Sequence, residues 1–306
     1  MKTSVLISTY NGEAFIEEQL GSLLEQTVRP DEVLIVDDCS TDGTYAKVQA
    51  FLAQNYLEGW RLSQNERNRG FRANFRALAE AATGDLFFFC DQDDVWGSRK
   101  IETCLDVMAC RPDINLLCTD YICSGSRPAE GSLSPAAPLE DWNIEKIYPH
   151  KGKPYIWLGC AMAVRASFIR EILPYWADDW AHDECAWCMA EASGSSAILH
   201  ETNLWHRVHG GNATGKRIHQ KLPRIALAEE KAKGYAETVR FCREKGIEGE
   251  ALRLFTGMSE CEFARVEFLQ NPTLGKAALL LRYLCYYPEA KSYLVDVAIA
   301  AGLVRK

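Results

Sequence analysis

The sequence predicts an α/β protein: a doubly wound, mostly parallel sheet followed by a C-terminal helical extension. Three observations carry that prediction. Short β-branched apolar runs alternate with amphipathic helical stretches four times before Cys90. Polar residues collect where those runs end, the edge at which doubly wound sheets bind ligands. From about Lys216 to the end, the apolar spacing is helical throughout.

The elements follow in order. Residues 3–9 (TSVLIST) form a buried strand ending at the turn Tyr10-Asn11-Gly12. Phe15, Ile16, Leu20, Leu23 and Leu24 then recur at helical spacing up to Gln26, and Arg29-Pro30-Asp31 breaks the helix. EVLIVDD (32–38) is a second strand, Ser40-Thr41-Asp42-Gly43 a turn, and a helix runs through about residue 54. Residues 60–63 give a third strand. Gly70 opens a helix over 71–82, with Phe71, Phe75, Leu78 and Ala82 on one face. Asp85–Cys90 is a fourth strand, apolar enough to be buried on both faces. Five of the eleven prolines fall in 124–155, which reads as a long loop. Structured pieces resume over 155–164 and Ala166–Leu173, with a helix over 181–192 and two strands, Ala197–His200 and Leu204–Val208.

Composition narrows the functional classes. The 306 residues are 47% apolar and 25% charged, enough to bury a large core unaided. No run of about 18 apolar residues predicts a membrane span, and the apolar patch at the start is too short for a signal segment, so a cytoplasmic protein is expected. Residues 1–210 carry 18 Lys/Arg against 31 Asp/Glu, while 211–306 carry 16 against 11. An acidic body argues against nucleic acid as a partner. The basic tail either meets an anionic membrane or phosphate-bearing ligand or is a set of solvated helix faces. The twelve cysteines show no repeated spacing; Cys90, Cys104 and Cys110 read as small buried hydrophobes in a reducing compartment. Cys185-x-x-Cys188 lacks a second pair, and zinc is rejected.

The acidic residues point to chemistry. Asp37-Asp38 ends the second strand and Asp91-Gln92-Asp93-Asp94 the fourth. Capping accounts for Asp42 but not for three aspartates within four residues, whose mutual repulsion a divalent cation or a polar ligand relieves. Neither G-x-G-x-x-G after a strand nor G-x-x-x-x-G-K-[ST] is present, so a bound nucleotide needs a metal on its phosphates. Trp157, Trp176, Trp180, Trp187 and Trp205 are either core or a platform for sugar faces, core being the better reading for any one. Asp183, in the first turn of its helix, is either a dipole-favoured cap or a catalytic group.

Seven segments in order, VLISTYNG (5–12), DDCSTDGT (37–44), NERNRGFRANF (65–75), DQDDVW (91–96), GCAMAVR (159–165), HDE (182–184) and WHRVHGGNATG (205–215), resemble glycosyltransferase family 2, and within it the bacterial rhamnosyltransferase-like branch. The resemblance implies a GT-A fold and an inverting, non-processive, metal-dependent transfer from a nucleoside-diphosphate sugar. It implies a catalytic domain over 1–215, with a nucleotide-sugar half to about 120 and an acceptor half beyond, and a helical region over 216–306. By position, Thr9, Tyr10 and Asn11 would line the nucleoside pocket, with Asp38, Arg69, Asp91 and Arg207 also on the donor. Asp93 and His209 would hold Mn2+ or Mg2+, with Asp94 and Asn212 near them. His206 and His209 lie three apart, so on a strand only one faces the site, and His209 is chosen. Asp183 matches the family's base. Glu184 replaces an aromatic residue common there and competes for the role.

The resemblance further implies dTDP-L-rhamnose as donor, with UDP-hexoses as the alternative, and a cell-surface glycan or lipid-linked acceptor. A sugar nucleotidyltransferase is a poor match at Ser8–Gly12, and a non-catalytic GT-A carbohydrate-binding or scaffold protein is the other class. Leu279–Tyr287 is too short to span a bilayer. With Lys276 and Arg282 it either rests on the inner face of the cell membrane or packs against the catalytic domain or the partner in a homodimer.

Overall fold

The structure, a computed structural model, describes residues 1–129, 131–133, 142–149, 157–211, 220–287 and 289–303. Strands β1 (Thr3–Thr9), β2 (Glu32–Asp37), β3 (Trp60–Gln64) and β4 (Leu86–Asp91) form the parallel half of one sheet, and helices α1 (Ile16–Leu24), α2 (Thr44–Asn55) and α3 (Phe71–Ala81) link them. β1 lies between β2 and β4, and the register sets Thr9 beside Asp37 and Ser8 beside Asp91. Every residue of β2, and every residue of β4 before Asp91, is buried, as apolar runs covered on both faces require. This brings the carboxylates onto one edge.

The second half is mixed. After the short β5 (Val95–Trp96) and α4 (Lys100–Cys110), β6 (Leu116–Ser124) pairs parallel with β9 (Ser196–Arg207). Between them come β7 (Ile144–Ile147), β8 (Met162–Arg165), α5 (Ala166–Ile172) and α6 (His182–Ala192). β8 is antiparallel to both β4 and β6, which joins the halves. Three expectations change here. The two strands expected over 197–208 are one, because two register shifts against β6 absorb the polar His200–Thr202 stretch without ending the ladder. The long loop contains β7, antiparallel to β9, although 130, 134–141 and 150–156 lie outside the described residues. Trp176, Trp180, Trp187 and Trp205 are core, so a tryptophan sugar platform is not formed by them. Cys90 and Cys104 are buried as expected; Cys110, at the end of its helix, is exposed.

A buried carboxylate locks the base of the parallel half. Glu32 accepts from Ser4 Oγ at 2.6 Å and from Thr83 N at 2.8 Å. Burial alone would raise its carboxyl, but the Ser4 and Thr83 hydrogen bonds and the charge of Lys2 outweigh that and hold it low. A depressed folded value contributes stability that is complete above the ordinary carboxylate range and lost as pH falls through it. Glu32→Gln is therefore expected to cost about 1–2 kcal/mol at neutral pH and less below about pH 4. Urea unfolding at both pH values checks this; an equal loss at each would reject it.

The C-terminal region is helical, as predicted: α7 (Lys221–Glu244), α8 (Glu250–Gln270), α9 (Leu274–Leu280), a 3₁₀ turn over Leu281–Tyr286, and α10 (Ala290–Ala300). α7 packs against the turn that leads into α6, where Gly234 leaves room for Trp180; a Cβ there would sit 2.3 Å from the indole ring. The boundary expected at 215 falls in 212–219, outside the described residues. Among the described residues no helix is long and apolar enough to cross a membrane.

Candidate functional site

The strand ends supply the site and its bracing, and they divide the predicted residues between the two. Thr9, expected in the pocket wall, is fully buried, and its hydroxyl donates to Asp37 Oδ1 at 3.0 Å. Asp37 also accepts from Ser40 and Gln64, so the Thr9–Asp37 pair braces the strand ends. Tyr10 is exposed, and its backbone N–H and C=O are both held by the Gln92 amide, at 2.8 and 3.0 Å. Asn11 adopts a left-handed φ of 49° and accepts from Thr41 N at 2.8 Å, fixing the turn after β2.

Asp38 is 2% exposed and accepts from Asn65 Nδ2 and from the N–H groups of Arg69 and Gly70, each at 2.8 Å. Burial pushes its carboxyl up, but these donors prevail and hold it low and ionised. Among these contacts Arg69 takes part through its backbone. Arg207 donates to the Asp93 carbonyl at 3.0 Å, pairs with Glu18, and stacks over Trp205 at 4.4 Å, so it props the acidic loop from behind.

The acidic loop holds two linked sets of metal-capable atoms. Asp93 Oδ2 lies 2.7 Å from His209 Nε2, bringing together the two residues expected on a cation. Beside them Asp91, Asp94, Cys160 and His206 place one ligand atom each within 4.8 Å of one another. Asp94 is fully buried; Oδ1 meets His206 Nδ1 at 2.9 Å and Oδ2 has no hydrogen-bond partner. An orphaned carboxylate oxygen among like charges fits a hard divalent cation. Burial, then repulsion from Asp94 and Asp93, pushes Asp91 well up, while the Asp94 hydrogen bond raises His206. The expectation that His206 faces away is corrected: β9 ends at Arg207, so strand alternation stops before His209 and both imidazoles reach the acidic loop.

Across a cavity of about 690 Å³ from these groups stands the start of α6. Asp183 lines the cavity, and its Oδ1 accepts the Glu184 N–H at 2.8 Å. Glu184 also lines it, but its Oε1 is taken by Lys231 Nζ at 2.8 Å and Tyr235 OH at 2.9 Å. His182, packed against Phe75 and Phe89, sits where a side chain at Gly159 would fall, 2.4 Å from its Nε2. Burial lowers its pKa and keeps it neutral. The cavity brings together Tyr10, Asp38, Asp91, Asp93 and Asp183. Asn212 lies outside the described residues.

Sequence reading missed the far wall. Leu227, Glu230 and Lys231 of α7 line the cavity, and Glu230 holds Arg72 through two bonds of 2.8 and 2.9 Å. A Glu-Lys pair in a polar helix looks like a solvated face, and only an apolar Leu227 one turn earlier hinted otherwise.

The profile of the family described as Glycosyl transferase family 2 matches residues 4–174. An uncharacterized glycosyltransferase of Nostoc sp. is 26% identical over 215 residues, 69% of this chain and 66% of its own length. TarS of Staphylococcus aureus, a poly(ribitol-phosphate) β-N-acetylglucosaminyltransferase, is 40% identical over 97 residues, 31% of this chain and 16% of its own. The chain thus matches at most about two thirds of the length of these relatives. The structure of TarS 1–349 with UDP-GlcNAc superposes with a TM-score of 0.59 at 18% identity, covering 99% of this chain and 92% of that one. The mannosyltransferase PcManGT of Pyrobaculum calidifontis, solved with GDP-Man and Mn2+, gives 0.57 at 18%, covering 99% and 86%. These likenesses establish the GT-A-type fold.

Proposed function

The chain belongs to glycosyl transferase family 2, and from that premise we propose that it is an inverting, non-processive glycosyltransferase acting on a cell-surface glycan or lipid-linked acceptor at the cytoplasmic side of the membrane. The observation that carries this is one cavity with an acidic strand edge on one side and Asp183 on the other. Residues 1–215 form the catalytic domain in this reading. The donor is a nucleoside-diphosphate sugar; dTDP-L-rhamnose follows from the branch resemblance, with a UDP-hexose as the alternative. TarS with UDP-GlcNAc and PcManGT with GDP-Man support a fold that accepts different nucleosides.

In the proposed mechanism Tyr10 and Asp38 bind the nucleoside, and Asp91 orients the donor from beneath. Asp183 accepts the proton of the acceptor hydroxyl as its oxygen attacks the anomeric carbon from the face opposite the leaving diphosphate, which inverts the centre. A divalent cation, Mn2+ or Mg2+, held by Asp93 and His209 would offset the charge on the diphosphate. Glu184, tied to Lys231 and Tyr235, holds the start of α6 against α7.

Thermal-shift and hydrolysis screening of dTDP-, UDP- and GDP-sugars with Mn2+, Mg2+ or EDTA tests the reading. One donor is expected to raise the melting temperature only with metal and to be hydrolysed slowly, and Asp93→Ala to lose that shift. Silence across all donors with folded protein would favour the non-catalytic carbohydrate-binding reading.

A further inference from the structure

The segment from Leu274 to Tyr287 carries apolar side chains on every side yet is covered on one. Its inner face, Leu280 and Tyr287 with the partly buried Tyr283 and Tyr286, packs on α8, where Gly257 admits the Tyr286 ring. Its outer face carries Leu274, 92% exposed, Leu281, 50% exposed, and the exposed Leu279 and Leu284. A helix that is hydrophobic all round is normally enclosed by protein or lipid.

The charges select between these. From residue 268 to 288 the sequence contains no Asp or Glu, and its only charged side chains are Lys276 and Arg282. Arg282 is exposed on the outer face among the leucines. The body of the chain is acidic, so this cationic apolar strip is a local departure. A two-fold contact of this face with a second copy would bury Arg282 among leucines, with no carboxylate in 268–288 of either copy to pair it. An anionic lipid surface offers charge of the opposite sign and a place for the leucines at the acyl boundary.

We propose that the outer face of Leu274–Leu284 is a membrane-docking surface for anionic phospholipid, with the leucines entering the interface and Arg282 meeting headgroups, while Lys276, half-buried, donates to the Glu267 carbonyl at 3.2 Å. The surface is independent of which donor the catalytic cavity takes, so vesicle binding and donor turnover fail separately. α10, which packs on the same turn, adds the exposed Leu294.

Sedimentation of the full chain with phosphatidylcholine vesicles, with and without phosphatidylglycerol, is the test. Binding is expected to need phosphatidylglycerol and to weaken at about 0.5 M salt. Leu281→Glu is expected to lower partitioning on the order of tenfold, with donor hydrolysis unchanged. Leu274→Glu, at the most exposed position, gives the same reading without touching the packed face. Wild-type protein left in the supernatant at low salt would overturn the proposal, as would variants that bind like wild type. A dimer in sedimentation velocity that Leu281→Glu dissociates would overturn it too, and assign the face to a second copy.

Discussion

Asp183→Asn is expected to lower the transfer rate by about 10²- to 10⁴-fold while leaving donor affinity unchanged, the span attributed to a positioned general base. Asparagine keeps the shape of the side chain and its carbonyl oxygen still accepts the Glu184 N–H, so α6 is not disturbed. What it loses is the capacity to take the acceptor's proton. Glu184 is the internal control. Its carboxylate is bound by Lys231 and Tyr235, and burial of Lys231 is outweighed by the Glu184 charge, which raises that lysine's pKa. Glu184→Gln is therefore expected to act first on stability, lowering it by about 1.5–3 kcal/mol, and to reduce transfer far less than Asp183→Asn. Single-turnover rates at saturating donor and acceptor decide this. Near-normal transfer by Asp183→Asn, with loss in Glu184→Gln at unchanged melting temperature, would move the base to Glu184.

The strand edge was legible because its signal is local. An apolar run buried on both faces must end in something polar, and Asp37-Asp38 and Asp91–Asp94 stand at those ends in the sequence as in the structure. Local reasoning failed wherever a long-range contact decides a residue's role. Thr9 looked like a pocket residue but spends its hydroxyl on Asp37 across the parallel register, and Arg207 is drawn behind the acidic loop by Glu18. His206 and His209 were divided by a strand rule that ceases to apply once β9 ends. Cys160, 66 residues from Asp94, enters the acidic cluster only because β8 is inserted antiparallel between β4 and β6, a topology that no local periodicity encodes.

The helical tail is where this distinction has its largest consequence. Asp296 on α10 is fully buried and bridges two helices: its Oδ2 accepts from Arg265 of α8 at 2.8 Å, and its Oδ1 pairs with Arg224 of α7. Arg265 also meets Glu262 through two bonds of 2.7 Å. Burial opposes the arginine's charge, but Glu262 and Asp296 more than offset it and raise its pKa. Asp296→Ala leaves that charge short of one anion and removes the Asp296 pair from Arg224, and is expected to cost about 3–5 kcal/mol. For a chain of this size that lowers the melting temperature by roughly 5–8 °C. The effect is not confined to the tail, because α7 carries Leu227, Glu230 and Lys231 into the wall of the cavity that holds Asp93 and Asp183. Loosening α7 frees Glu184 and Arg72 from their partners, so donor hydrolysis is expected to fall with the melting temperature. Asp296→Asn, which keeps an oxygen toward Arg265, should retain more of both. A melting temperature within about 2 °C of wild type for Asp296→Ala would mean that water reaches the arginines, and α7 would then keep its place in the cavity wall without the Asp296 bridge.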